Sequence, residues 1–136
     1  MPLKIELKPD ERLIIGNAVI RNGPRRTSLI IETNTKFLRE SDIVTQSEAD
    51  TPCKRLYFAL TVMYLADDGT HAENAFVAEA NALMAAAPST KPYILAIHEQ
   101  ISAGDRYRAL KRGKELIAYE QSLSERFPQP APVPAP

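Results

Sequence analysis

The chain has 136 residues, of which 44% are hydrophobic and 25% are charged, and its formal net charge is zero. These values are typical of one globular domain or two very small ones, and they exclude disorder of the whole chain. The balance of 17 basic and 17 acidic residues gives no global argument for a nucleic-acid ligand. The single cysteine, Cys53, excludes an intrachain disulfide and favours a reducing compartment, so we expect a cytoplasmic protein.

The first 44 residues predict a small antiparallel β structure of about five short strands. Apolar and charged residues alternate in the first strand, which places Leu3, Ile5 and Leu7 on one face. Short apolar runs predict the remaining strands, at residues 13–15, 18–21, 27–32 and 36–39. Gly16-Asn17 is a turn signal, and Asn22-Gly23 predicts a hairpin because a type I′ turn needs positive φ at both positions.

From about residue 45 the pattern becomes helical. Pro52 in the first turn, after Asp50 or Thr51 as N-cap, predicts the start of the first helix. The apolar residues of segment 56–65 lie on nearly all sides, which is typical of a helix that is buried on most faces or forms a partner interface. Three further helices are predicted, at about residues 71–86, 92–102 and 105–127. Gly113 in the middle of the last helix allows a break there.

The predicted fold class is therefore α+β, with a small antiparallel meander or barrel followed by about four helices. We divide the chain into a β-rich subdomain (residues 1–44), a helical subdomain (residues 45–127) and a tail (residues 128–136). Prolines alternate through the tail, where they remove backbone donors and fix φ. We therefore expect the tail to be extended and disordered.

Motifs for catalysis are missing from the sequence. There is no glycine-rich phosphate loop and no nucleophile turn, and His71 and His98 are not in a metal spacing with Cys53. We expect His98 to be a hydrogen-bonded core residue and Cys53 to be a buried structural thiol. No apolar run approaches the roughly 20 residues that cross a bilayer. The sequence thus predicts a non-enzymatic binding protein with no cofactor, no metal and no membrane partner.

Three separated segments of the chain resemble the FlbT family. They are LKPDERLIIGNAVIRNG (residues 7–23), ADTPCKRLY (residues 49–57) and YRALKRGKELIAYE (residues 107–120). The resemblance covers about residues 3–127 and leaves out the tail. It implies a post-transcriptional regulator of flagellum biogenesis that associates with the 5′ untranslated region of flagellin mRNA, represses translation and promotes decay. It also implies a companion flagellar protein, FlaF, that acts in the opposite sense.

A second resemblance, to the carbon-storage regulator CsrA, is confined to the first 43 residues. Five short strands and Glu11 ahead of an apolar run carry it. That family binds GGA motifs in mRNA leaders through basic residues on its first and last strands, and Lys8 and Arg39 stand at two such positions. Leu7 stands where that family has an arginine. CsrA proteins form interlocked dimers, and the helical part of this chain is able to prevent that arrangement. A homodimer and a monomer are therefore both compatible with the sequence.

Basic side chains near the strands are the first candidates for RNA contact, because Lys and Arg neutralise phosphates. They are Lys4, Lys8, Arg25, Arg26 and Arg39. A second basic face is predicted on the last helix by i, i+3 and i+4 spacing, at Arg108, Lys111 and Arg112. Few aromatic residues interleave with these cations, so the sequence gives base stacking little support.

Two hypotheses from different classes follow. The main one is an mRNA-binding repressor of flagellum biogenesis. The alternative is a protein-interaction module, in which the helices bind a flagellar partner, FlaF or flagellin, and effects on RNA are indirect. The first helix, apolar nearly all round, motivates the alternative.

Overall fold

The computed structural model describes residues 2–66 and 70–126 of the chain. Its strands are β1 (Leu3–Leu7), β2 (Arg12–Ile15), β3 (Ala18–Arg21), β4 (Thr27–Ile31) and β5 (Phe37–Arg39). Its helices are α1 (Pro52–Leu65), α2 (Thr70–Ala86), α3 (Lys91–Ser102) and α4 (Arg106–Arg126). Two single 3-10 turns, Glu40–Asp42 and Gln46–Glu48, connect β5 to α1. The predicted α+β class and the order of strands and helices are confirmed, whereas the predicted tail lies outside the described residues.

The five strands form two antiparallel sheets. In one sheet β1 pairs with β4, from Leu3 opposite Ile31 to Leu7 opposite Thr27. In the other sheet β2 lies between β3 and β5. The turn predicted at Gly16-Asn17 is confirmed, since it joins β2 to β3 and Gly16 has φ +58°. All these pairings are made within one chain.

The hairpin predicted at Asn22-Gly23 is wrong. The strands on either side of it, β3 and β4, belong to different sheets. The Asn22 amide instead donates to the carbonyl oxygens of Lys8 and Arg25, at 2.8 Å each. Its side chain therefore holds the β3–β4 connection against the end of β1. The predicted tight turn would instead have paired β3 with β4.

The two faces of β2 belong to different hydrophobic cores. Leu13 is buried with Ile5 and Leu7 between the two sheets. The next residue, Ile14, lies on the opposite face because side chains alternate along a strand, and it joins Leu38 in the core of the helices. The central sheet is thus covered by the β1–β4 sheet on one side and by helices on the other.

Helix α1 is the centre of the helical core, and it packs against both α2 and α4. Most of its apolar residues are buried, so the prediction of a helix buried on most faces is confirmed, although Val62 is 40% exposed. Cys53 is buried as predicted, and burial raises the pKa of its thiol to about 12. His98 is exposed on α3, so the expectation that it lies in the core is wrong. The buried face of α3 is formed by Ile94 and Ile97.

Helix α4 runs without a break through Gly113, which corrects the break allowed by the sequence. A Cβ atom at this position would lie 2.9 Å from Cδ2 of Tyr57 and 3.0 Å from Cδ1 of Leu60. The glycine therefore lets the backbone of α4 approach α1 closely. A carboxylate from α4 also completes the start of α1, because Glu120 accepts hydrogen bonds from the Thr51 hydroxyl and the Cys53 amide.

No helix within residues 2–66 and 70–126 combines the length and the apolar character needed to cross a bilayer.

We expect Gly113→Ala to lower the free energy of unfolding by about 1–2 kcal/mol, because the added methyl group overpacks the contact with the Tyr57 ring. In an exposed helix the same change would raise stability by about 1 kcal/mol. Urea denaturation of both proteins measures the difference. Gly23→Ala is the control, since a Cβ atom added at Gly23 would have no other atom within 4 Å. A Gly113→Ala protein more stable than wild type would contradict the close approach.

Candidate functional site

A surface groove of about 860 Å³ opens along the β-rich part. Four of the five cations predicted near the strands line it: Lys4, Lys8, Arg26 and Arg39. They come from β1, the β1–β2 turn, the β3–β4 connection and the end of β5, so the fold brings together residues that are far apart in sequence. Arg25 is not among the lining residues.

Local backbone contacts position the cations of the groove. Lys8 begins a tight turn in which the Glu11 amide donates to the Lys8 carbonyl oxygen at 3.1 Å. Asp10 in this turn has φ +63°, a conformation that Asp tolerates better than most residues. Arg26 lies on the connection that Asn22 fixes through the carbonyl oxygen of Arg25. The backbone at Lys8 and the backbone next to Arg26 are therefore linked through the side chain of Asn22, which binds the carbonyl oxygens of Lys8 and Arg25.

Four carboxylates line the same groove, so its formal charge is balanced. They are Glu6, Asp10, Glu11 and Glu40. Arg39 donates to the backbone oxygen of Glu6 at 2.8 Å and lies 3.7 Å from a carboxylate oxygen of Glu11. Within the described residues, Lys8 and Arg26 have no carboxylate oxygen within 4.0 Å. Lys8 and Arg26 are therefore the groove cations without a paired carboxylate, and Lys4 stays accessible as well because its pair with Glu6, at 3.9 Å, is exposed.

Arg12 compensates one of the groove carboxylates. Its guanidinium Nε lies 2.7 Å from Glu40, and Nη1 lies 3.0 Å from Glu48. Hydrogen bonds to these two carboxylates raise the pKa of Arg12 above its ordinary value. Hydrogen bonds from Arg12 and Thr45 lower the pKa of Glu48 to about 2. The network ties both 3-10 turns to β2, and it holds Glu40 as a counter-charge of Arg12.

The structure places the three cations predicted on the last helix along α4, each beside a carboxylate. Arg108 lies 3.5 Å from Asp105, and Arg112 lies 3.0 Å from Glu115. Lys111 reaches across to Asp42, 3.1 Å away. Because the first two pairs are exposed and close in sequence, solvent screens them, and their cations stay accessible to a ligand.

Sequence reasoning missed the ion cluster at Asp42. This carboxylate is buried and accepts hydrogen bonds from both Lys111 and Lys114. Burial alone would raise its pKa, but the two ammonium groups outweigh burial and lower the pKa below its ordinary value. The i, i+3 spacing of the two lysines on α4 indicates a shared face. Their partner Asp42 lies about 70 residues away in the sequence, and no local pattern predicts that it contacts them.

A pair of tyrosines beside this cluster was also missed. The ring centroids of Tyr64 and Tyr107 are 5.8 Å apart, and Tyr107 is 44% exposed. The Lys111 ammonium lies 5.0 Å from the centroid of Tyr107, and Lys36 lies 5.9 Å from that of Tyr64. The i, i+4 spacing of Tyr107 and Lys111 is the only part that the sequence shows.

A second cleft, of about 500 Å³, lies between α1 and α2. Its floor and walls are mostly apolar, with Phe58 and Val62 from α1 and Ala72 and Ala75 from α2. Ala75 is exposed on α2. Among the described residues, no three His, Cys, Asp or Glu side chains are grouped so that they could hold a metal ion.

We expect Asp42→Asn to lower the free energy of unfolding by about 2 kcal/mol at pH 7, since it removes the charged acceptor of two lysines. The pKa of Asp42 is lowered in the folded state, so this stabilisation is complete above the ordinary value of 3.8 and is lost as the pH falls below it. Urea denaturation at pH 7 and at about pH 3 should therefore show a smaller difference at the lower pH. Glu115→Gln, in the exposed pair with Arg112, is the control and should cost less than about 0.5 kcal/mol. A difference that does not change with pH would contradict the ion cluster.

Comparison with known proteins identifies the family. The family model described as "Flagellar protein FlbT" matches residues 3–124. The probable flagellum biosynthesis repressor protein FlbT 1 of Bradyrhizobium diazoefficiens is 43% identical over 128 residues, which cover 93% of this chain and 88% of the relative. The probable flagellum biosynthesis repressor protein FlbT of Rhodopseudomonas palustris (strain TIE-1) is 39% identical, over 93% of this chain and 100% of the relative. The flagellum biosynthesis repressor protein FlbT of Caulobacter vibrioides (strain ATCC 19089) is 34% identical, over 88% and 87%.

No solved structure matches the chain. The matches in sequence extend over both the strands and the helices, and the names of the relatives describe a regulatory rather than a catalytic role. The chain belongs to the FlbT family of flagellar proteins.

Proposed function

We propose that this protein represses flagellum biogenesis after transcription, by binding the 5′ untranslated region of flagellin mRNA through the groove of the β-rich part and promoting decay of that mRNA. The observation that carries the proposal is the convergence of Lys4, Lys8, Arg26 and Arg39 on one groove. The repressor names of relatives at 34–43% identity support the regulatory half of the proposal.

The chemistry of the groove suits an unpaired RNA strand. Lys8 and Arg26 are exposed and provide contacts for phosphate oxygens. The carboxylates of Glu6 and Asp10 are exposed beside them and are able to accept hydrogen bonds from base amino groups. A leader presents such base edges in loops and single-stranded segments, whereas they are hidden in the deep groove of an RNA duplex. A groove of mixed charge therefore favours RNA with unpaired, splayed-out bases, and it disfavours duplex RNA, which presents mainly its phosphate backbone.

We expect Lys8→Glu and Arg26→Glu each to weaken binding of a flagellin leader RNA about tenfold at about 0.1 M salt, because a phosphate contact is replaced by repulsion. Each change should also reduce the slope of log affinity against log salt by about 1. Fluorescence anisotropy with a labelled leader at several salt concentrations measures both quantities. Lys91→Glu on α3, an equal change of charge at an exposed position outside the groove, is the matched control.

Two outcomes of this titration would count against the proposal. The first is that the wild-type protein does not bind the leader at low salt. The second is that reversal at Lys91 weakens binding as much as reversal at Lys8 and Arg26, since the effect would then reflect overall charge. Arg25→Glu in the same series tests whether this neighbour, which does not line the groove, takes part in binding.

A second candidate function is a protein-interaction module, favoured by the cleft between α1 and α2. Val62 is 40% exposed there, although α1 is otherwise buried on most faces. A partner helix with an apolar stripe would fill such a cleft, in the way that amphipathic helices bind hydrophobic grooves. FlaF and flagellin are the proposed partners, and a second copy of this chain is the third candidate.

We expect Val62→Asp to weaken binding of purified FlaF or flagellin at least tenfold, since it places a charge in an apolar contact, while affinity for leader RNA is unchanged. Titration calorimetry with each partner measures the effect. Leu95→Asp is the matched control, because Leu95 is 53% exposed on α3 and does not line the cleft. If neither partner binds the wild-type protein, and the protein is monomeric by light scattering, the interaction module is excluded.

A further inference from the structure

We propose that Tyr64 and Tyr107, framed by Lys36 and Lys111, form a stacking site for unpaired bases of single-stranded RNA. The proposal rests on the RNA-binding function proposed above, and it adds a second contact surface outside the groove. We call these four residues the tyrosine patch.

The exposure of Tyr107 is the first support. The residue as a whole is 44% exposed, and its ring meets that of Tyr64 in a tilted arrangement with an angle of 49° between the ring planes. A second tyrosine pair in this chain, Tyr93 and Tyr119, provides the contrast. Those rings are stacked at 4.6 Å with an angle of 20°, and the Tyr119 hydroxyl donates to the Ser89 hydroxyl oxygen at 2.7 Å. Tyr93 and Tyr119 are both half-buried, whereas Tyr107 of the tyrosine patch is exposed.

The cations around the rings are the second support. Lys111 lies 5.0 Å from the Tyr107 centroid, and its ammonium is fixed there by the hydrogen bond to Asp42. Lys36 is exposed, and within residues 2–66 and 70–126 it has no carboxylate oxygen in ion-pair distance. Aromatic rings beside cations are the common arrangement for single strands, in which bases stack on the rings while cations neutralise the backbone.

The position of the patch relative to the groove is the third support. Lys36 directly precedes β5, and Arg39, which lines the groove, ends β5. Two residues lie between them, so their Cα atoms are about 10 Å apart. Their side chains point to opposite faces of the strand because side chains alternate, and β5 is an edge strand of its sheet. One RNA strand that passes around this edge is thus able to contact both surfaces, with its phosphates in the groove and a base on the tyrosine patch.

Substitution of Tyr107 tests the stacking site directly. We expect Tyr107→Ala to weaken binding of the flagellin leader about tenfold or more, since it removes the stacking surface, and Tyr107→Phe to keep affinity within about twofold, since the ring is retained. Anisotropy at constant salt measures both. The expected loss should be absent for a fully double-stranded RNA of the same sequence, whose bases are not available for stacking.

A fluorescence experiment tests the same site independently of affinity. The chain has no tryptophan, so a Tyr107→Trp variant carries a single indole. We expect leader RNA to quench its emission as a base stacks on the ring. His98→Trp, at an exposed position on α3, is the matched control and should not be quenched. Circular dichroism of each variant checks that it is folded, and the tryptophan variant keeps the test decisive if Tyr107→Ala does not fold.

The results separate the two proposals. If the wild-type protein binds the leader but Tyr107→Ala binds equally well and the Tyr107→Trp variant is not quenched, the stacking site is overturned while RNA binding stands. If the wild-type protein does not bind the leader at low salt, RNA binding fails and the stacking site fails with it. A third outcome is that leader RNA quenches the Tyr107→Trp variant while Tyr107→Ala loses equal affinity for single-stranded and double-stranded RNA. Tyr107 would then have a structural role in the RNA interface, and base stacking would also be overturned.

Discussion

The side chain of Tyr57 joins the parts of this molecule. Its ring is buried against Gly113 of α4, and its hydroxyl donates to the Asp42 carbonyl oxygen at 2.6 Å. Burial raises the pKa of the phenol, which therefore remains a neutral donor. One residue thus fixes the distance between α1 and α4 and also anchors the 3-10 turn after β5. This contact couples the placement of the β-rich part to the packing of α1 against α4, together with the burial of Ile14 and Leu38 in the helical core.

The 3-10 turn after β5 connects the helical core to the groove, and contacts on both sides restrict its motion. Asp42 is held a second time, by the ammonium groups of Lys111 and Lys114 on α4. Three residues earlier, Arg39 crosses to the backbone of β1, and Glu40 is bound by Arg12 of β2. Residues 39–42, which end β5 and form the following 3-10 turn, therefore make contacts with α1, α4, β1 and β2. Because these contacts fix the segment, the groove that it borders is preorganised, which would lower the entropy cost of binding any flexible ligand there.

Sequence reasoning recovered what depends on local periodicity. The strands, the helices, the buried Cys53 and the apolar character of α1 all follow from spacing and composition, and the structure agrees. The predictions were wrong where contacts between residues far apart in sequence determine the local structure. Asn22 has the side chain of a hairpin turn but uses it to bind the end of β1, and Gly113 has no local function in α4 but fits the Tyr57 ring. The grouping of cations in the groove was open for the same reason, since it depends on sheet pairings between residues far apart in sequence.

The mixed charge of the groove bears on how an RNA would be distinguished from any other polyanion. Four lining carboxylates oppose the four cations, so phosphate attraction alone contributes little net affinity. Counterion release, which dominates non-specific binding, is correspondingly small. Selectivity must then come from contacts that depend on the bases, through hydrogen bonds to exposed carboxylates or stacking on exposed rings. The proposed recognition of one leader among many transcripts would require this balance in a protein of zero net charge, because a uniformly basic groove would bind them all.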